Sequence, residues 1–174
     1  METAPKRIMV YGVTGSGKTT LARMIGEATG LPWHSVDDLT WEADWTPASE
    51  EVQRERISAI CEQEAWVLDT AYRKWLDIPL ARVDLIVGLD YPRWFSLWRL
   101  FRRTVARVVD KRPICNGNVE NLRQMLSRDS ILVWHFRSYK KKRATIEQFE
   151  REQGRYQVIR LRSQRETDTW LRSL

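Results

Sequence analysis

Five short apolar runs alternate along this chain with stretches whose apolar residues recur at helical spacing. Residues 7–11, 31–37, 65–69, 83–90 and 156–161 have the length and composition of strands. The run "VDLIVGLD" at 83–90 is nearly continuously apolar, the pattern of a strand buried on both faces in a parallel sheet. Leu21, Met24 and Ile25 follow a helical stripe that stops at Thr29-Gly30, ahead of Pro32. Thr46-Pro47 reads as the N-cap and first residue of a second helix, carried by Val52, Ile57 and Ile60 to about residue 64. Pro92 opens a long basic helix to about residue 110, 111–118 reads as a turn-rich tip, and helical patterns fill 119–127 and 130–150. A last helix starts at Ser163. Strands alternating with helices predict one three-layer α/β domain over residues 1–174, a parallel sheet with helices on both faces. Ligands of such folds bind at the C-terminal ends of the strands.

The segment between the first strand and the first helix changes the picture from architecture to chemistry. Gly12-Val13-Thr14-Gly15-Ser16-Gly17-Lys18-Thr19 fits G-x-x-x-x-G-K-[ST], the Walker A phosphate loop. Its glycines allow the backbone to turn with φ > 0 and bring consecutive N–H groups close to a polyphosphate. The helix that follows adds unpaired amides and a positive dipole end. Gly12, Thr14, Gly15, Ser16, Gly17, Lys18, Thr19 and Thr20 are therefore the expected ATP-binding residues. Lys18 is expected to reach the β- and γ-phosphates, and the Thr19 hydroxyl to ligate Mg²⁺.

Composition adds little beyond this. The chain has 43% apolar residues, nine Trp and a formal charge of +6, which favours an anionic partner such as a nucleotide, a nucleic acid or a lipid headgroup. Cys61 and Cys115 have no CxxC spacing and read as reduced structural thiols of a cytoplasmic protein. No leader pattern opens the chain and no apolar run approaches 18 residues, so neither export nor membrane insertion is expected.

Three later stretches narrow the family. "LDTAYR" (68–73) resembles the L-D-G-F-P-R signature of adenylate kinase and its relatives at Leu68, Asp69 and Arg73. "LDYPRWFSLWRLFRR" (89–103) resembles their Asp-x-Pro turn followed by two arginines four apart, here Arg99 and Arg103. "FRSYKKKR" (136–143) supplies positive charge where that family's lid returns to the body. The arrangement is most similar to the FlaR-like, or topology modulation, branch of adenylate-kinase-like proteins. Its "W-V-I-D-G-N-Y" stretch resembles residues 66–72, and its tryptophan-rich "h-x-D-x-h-x-W" resembles 34–41. The resemblance implies sheet order 2-3-1-4-5, an acceptor-side helical segment at 38–64 and a helical lid at 104–143. It implies transfer of the γ-phosphate of Mg·ATP to a nucleoside-monophosphate-like acceptor. Thr70-Ala71 departs from the family's Gly-Asn or Gly-Phe, and 104–136 lacks the zinc cysteines of longer lids.

Phosphoryl transfer asks a protein for positioning and for charge compensation. Lys18, Arg99, Arg103 and Arg137 are the expected catalytic cations; for the arginines the alternative is a solvated basic face. Lys140–Arg143 reads as a mostly solvated helix turn; the alternative is that one of its residues closes on phosphate. Asp69 is expected near Mg²⁺, or else as the cap of the next helix. Asp37 or Asp38, with Trp41 and Arg73, is expected on the acceptor side. Asp90 reads as shaping the turn before Pro92. His34 and His135 read as packed histidines, and Trp94, Trp98 and Trp134 as helix–helix packing. Two rivals to the nucleotide acceptor stand beside it: a small alcohol of the shikimate or gluconate type, and a nucleic-acid-associated regulator that holds ATP as a ligand.

Overall fold

The computed structural model describes residues 4–70, 72–110, 131–152 and 154–174. The chain runs through β1 (Arg7–Gly12), α1 (Lys18–Thr29), β2 (Trp33–Ser35), α2 (Val36–Thr40), α3 (Glu50–Cys61) and β3 (Trp66–Thr70). It continues through α4 (Asp77–Leu80), β4 (Leu85–Leu89), α5 (Arg93–Asp110), α6 (Ile131–Arg151), β5 (Gln157–Leu161) and α7 (Gln164–Leu171). The expected tip at 111–118, the helical pattern at 119–127, Cys115 and the part 111–130 of the lid segment lie outside the described residues.

The five strands form one parallel sheet in the order β2-β3-β1-β4-β5. Period-2 alternation along β1 feeds two cores. Ile8 and Val10 pack with Leu21, Ala22 and Ile25 of α1, while Met9 and Tyr11 pack with Ile57 of α3 and Ile146 and Phe149 of α6. β3 and β4 are buried at every position, as the apolar runs require of central parallel strands. Gly88 of β4 lets α6 come close: a Cβ there would lie 2.8 Å from Ile146 Cγ2. Cys61 is a buried free thiol whose pKa burial pushes up to about 12, in keeping with a structural role.

Three expectations are corrected. The second strand stops at Ser35, and Asp37 and Asp38 sit in α2. The cause is Asp69: its Oδ1 accepts the Val36 N–H at 2.9 Å, which turns the chain out of the sheet. The next helix starts at Glu50, capped by Ser49, whose Oγ accepts from Val52 N at 3.3 Å. Thr46-Pro47 instead folds back on Trp41-Glu42, with Glu42 N donating to Thr46 O and a bridge between Trp41 and Pro47. Trp94, Trp98 and Trp134 do not pack between helices; all three are exposed.

Candidate active site

The loop between β1 and α1 sits at the C-terminal edge of the sheet. Gly15 and Gly17 take φ of +82° and +94°, the left-handed region where side chains are strained. Ser16 Oγ donates to Val13 O at 2.7 Å and fixes the turn from inside. A Cβ on Gly12 would lie 2.8 Å from Ser16 Oγ. A Cβ on Gly15 would lie 2.5 Å from Ser96 O, so α5 rests directly on the loop. Gly15→Ala is therefore expected to lower the unfolding free energy by about 1–3 kcal/mol, through φ strain and steric overlap. ATP binding should weaken in the same variant. Thermal unfolding with and without nucleotide checks both effects.

Lys18 opens α1, half-buried, and its Nζ donates to Val13 O at 3.2 Å. Burial lowers its pKa most; Asp69 and Asp37 pull it up, and Arg103 pushes it further down. Thr14 is half-buried, and Thr20 stands exposed in the first turn of α1, beside Arg99 and Gln164.

Thr19 Oγ1 donates to Asp69 Oδ2, while Asp69 Oδ1 holds the Val36 N–H. Asp69 thus caps α2, a helix earlier in the chain, and not the next helix α4, whose N-cap position is Leu76 with no side-chain cap; its second oxygen stands against the loop threonine. It is only 4% exposed, and burial raises its pKa, opposed by Lys18, Thr19 and Val36. A hydroxyl and a desolvated carboxylate are hard oxygen donors suited to Mg²⁺. Among the described residues no three His, Cys, Asp or Glu side chains gather as a metal cluster.

The residues expected on the acceptor side form a chain of hydrogen bonds. Trp41 Nε1 donates to Tyr72 Oη at 3.1 Å, and Tyr72 Oη donates to Asp37 Oδ1 at 3.1 Å. Burial raises the Tyr72 phenol pKa, and the Asp37 charge raises it further, so it stays a donor. Asp38 is exposed beside Asp37; partial burial and that neighbour raise its pKa. Thr70 keeps ordinary strand geometry, and its Oγ1 accepts from Tyr72 N at 3.3 Å.

The expected cations divide. Arg99 lies over the loop: its Nη2 would be 2.8 Å from a Cβ on Gly17, and its Nη1 donates to Gln164 Oε1 at 2.7 Å. Arg103 is close enough to Lys18 to lower the lysine's pKa. Arg73 is exposed and acts electrostatically on Tyr11 and Lys142. Arg137 is exposed, about 140° around α6 from Lys142.

The sequence did not single out Lys142 within the turn Lys140–Arg143. It is only 8% exposed, with Nζ 5.4 Å from the centroid of the buried Tyr11 ring. Burial lowers its pKa to about 8, with Lys18 and Arg73 adding to the shift. The signal was present: His135, Ser138, Lys142, Thr145, Ile146 and Phe149 form one buried stripe at spacings of three and four. Its neighbour Arg143 does face outward, pairing with Asp90 and Glu147 at 3.5 Å. Asp90 mainly anchors Arg160 at 2.6 Å, tying the end of β4 to β5. His135 is fully buried, with Nε2 2.9 Å from Ser96 Oγ. A cavity of about 650 Å³ beside Arg7 and Asp84 lies at the opposite, N-terminal edge of the sheet.

The sequence matches no family model and no curated protein. Solved structures do resemble the fold. A shikimate kinase from Bacteroides thetaiotaomicron superposes with a TM-score of 0.57 at 17% identity, over 98% of this chain and 96% of that one. A shikimate kinase from Acinetobacter baumannii in complex with shikimate gives 0.57 at 18%, over 99% and 91%. A gluconokinase from Sinorhizobium meliloti gives 0.55 at 18%, over 97% and 93%. At these identities the likeness establishes the shared fold: a five-stranded parallel P-loop sheet in the order 2-3-1-4-5, flanked by helices.

Proposed function

We propose that the chain is an ATP-dependent small-molecule kinase. The observation that carries the reading is the phosphate loop itself, with its two left-handed glycines, Lys18 at the helix start and Thr19 against buried Asp69. On this reading the loop amides and Lys18 hold the β- and γ-phosphates, and Arg99 lies along the nucleotide beside Gly17. Arg103 adds positive charge near Lys18. Thr19 and Asp69 would hold Mg²⁺, which when bound would neutralise phosphate charge. Lys18 and Arg103 balance the charge that spreads over the transferring phosphoryl oxygens.

The acceptor carries negative charge in this reading. Arg73 and Lys142 approach from β3 and α6, and Asp37, held by Tyr72, offers a carboxylate to an acceptor hydroxyl. The Leu68, Asp69, Arg73 match to adenylate-kinase-like enzymes supports a nucleoside-monophosphate-like acceptor of the FlaR-like type. The names of the structural neighbours support an anionic alcohol of the shikimate or gluconate type equally well. In either case the γ-phosphorus–oxygen bond of ATP breaks, a bond to the acceptor oxygen forms, and ADP leaves.

ADP release measured with Mg·ATP across nucleoside monophosphates, sugar acids and shikimate tests the proposal. Acceptor-dependent release with one of these classes is the expected result. Absence of nucleotide binding overturns it, as does salt-sensitive DNA binding without acceptor-dependent turnover.

A further inference from the structure

The face of α5 turned away from the loop carries Trp94, Trp98, Phe101 and Val105, at intervals of four, three and four residues. The opposite face, through Ser96, Arg99 and Leu100, packs on Gly15 and Gly17. One helix therefore covers the phosphate loop and shows a stripe of rings to solvent. Trp94 is 71% exposed, Trp98 55% and Phe101 41%. Phe136 of α6, 49% exposed, extends the stripe. Arg93 joins the two helices there, with Cζ 4.6 Å from the Phe136 ring centroid and Nη2 donating to Phe136 O at 2.7 Å.

Charge is segregated on the same two helices. Residues 93–109 contain five Arg, residues 131–146 five Arg or Lys, and neither stretch contains Asp or Glu, although the chain has 23 acids. The loop and the acceptor side engage Arg99, Arg103 and Lys142. Arg102, flanking the ring stripe, and Lys140, one turn beyond Phe136, are exposed. Apolar rings beside uncompensated cations are the composition of a helix that lies in an anionic membrane interface. No helix among the described residues is long and apolar enough to cross a membrane, so the contact is peripheral.

We propose that this aromatic and basic face docks on an anionic lipid surface. The rings enter the headgroup boundary, Arg102 and Lys140 meet the lipid phosphates, and the phosphate loop stays on the far side of α5. One feature favours lipid over a second copy of the chain. Two copies meeting on the stripe would oppose Arg102 and Lys140 with no acid from 93–109 or 131–146 to compensate.

Co-sedimentation of the whole chain with phosphatidylcholine vesicles, with and without about a third phosphatidylglycerol, tests the proposal. Binding is expected to the anionic vesicles and to weaken in high salt. Trp94→Ser with Trp98→Ser should lower vesicle affinity about tenfold or more while ATP binding stays unchanged. Arg102→Gln with Lys140→Gln should lower binding to the anionic vesicles. Failure of the wild-type chain to bind anionic vesicles overturns the proposal, as does undiminished binding by the double Trp variant. Trp-dependent capture of single-stranded DNA, or a Trp-dependent dimer, without vesicle binding assigns the face to that partner and overturns it too. None of these outcomes depends on whether the chain is a kinase.

Discussion

Replacing Lys18 with alanine is expected to lower turnover by about 10²–10³-fold or more while leaving the fold intact. The size follows from what a preorganised cation contributes when charge develops in a site shielded from water. The fold should survive because Lys18 is a cost in the nucleotide-free protein. Burial lowers its pKa, and Arg103 opposes its charge further; Asp69 and Asp37 compensate only in part. A lysine whose folded pKa is depressed destabilises the native state at pH values where it must stay protonated. Removing it should leave the melting temperature unchanged or slightly raised, even though Val13 O loses its 3.2 Å donor. The two measurements pull apart cleanly: ADP release collapses while thermal unfolding does not. A Lys18→Ala protein with wild-type turnover removes the phosphate loop from the chemistry, and the kinase reading with it.

That the loop was legible from sequence has a simple cause. Its three glycines are constrained by the backbone: Gly15 and Gly17 by positive φ, Gly12 and Gly15 by the absence of room for a side chain. Backbone constraints leave a fixed spacing in the sequence, whatever the rest of the domain does. The sheet was legible for a related reason, since Met9, Val10, Val67, Leu68, Ile86 and Val87 are wholly buried and admit only apolar residues. The boundaries were less legible because tertiary hydrogen bonds set them. Strand β2 ends where Asp69, more than thirty residues away, takes the Val36 amide. The α3 start was misplaced because Thr46-Pro47 has the composition of a cap, whereas the pairing of Trp41 with Pro47 draws that dipeptide into a turn and Ser49 caps the helix.

Side-chain direction on basic helices was the least legible. Arg137, Lys140, Lys142 and Arg143 share a type and a stretch of helix, yet only Lys142 lies on the buried stripe. Which face of α6 turns inward depends on Gly88 admitting Ile146 against the sheet, a contact between residues far apart in the chain. The tryptophans reversed in the same way. Trp94 and Trp98 lie on the face of α5 opposite the one that Gly15 receives, so rings expected to pack are exposed.

Lys142→Met is expected to raise the acceptor KM about 10–100-fold and to leave ATP affinity within about twofold, since a charge-assisted contact contributes roughly 1.5–3 kcal/mol. Lys142 is buried without compensation: among the described residues it meets the Tyr11 ring and no ion-pair partner, with Lys18 and Arg73 as like-charged neighbours. Its pKa of about 8 gives the prediction a second axis. An anionic acceptor favours the protonated lysine, so acceptor affinity in the wild type should fall as pH rises through about 8. Lys142→Arg should hold that affinity over the same range, because a guanidinium does not deprotonate there. The stability of the acceptor-free protein should move the other way. Above pH 8 the folded chain binds fewer protons at this site than the unfolded chain, so wild-type stability gains from the site as pH rises toward the ordinary lysine value. Lys142→Met should lose that gain and be the more stable protein relative to wild type below pH 8. Acceptor titrations across pH, paired with denaturant unfolding of all three proteins, check both slopes. An acceptor KM that is the same in Lys142→Met and wild type, with no inflection near pH 8, removes this lysine from the acceptor site and leaves Arg73 to hold the anion alone.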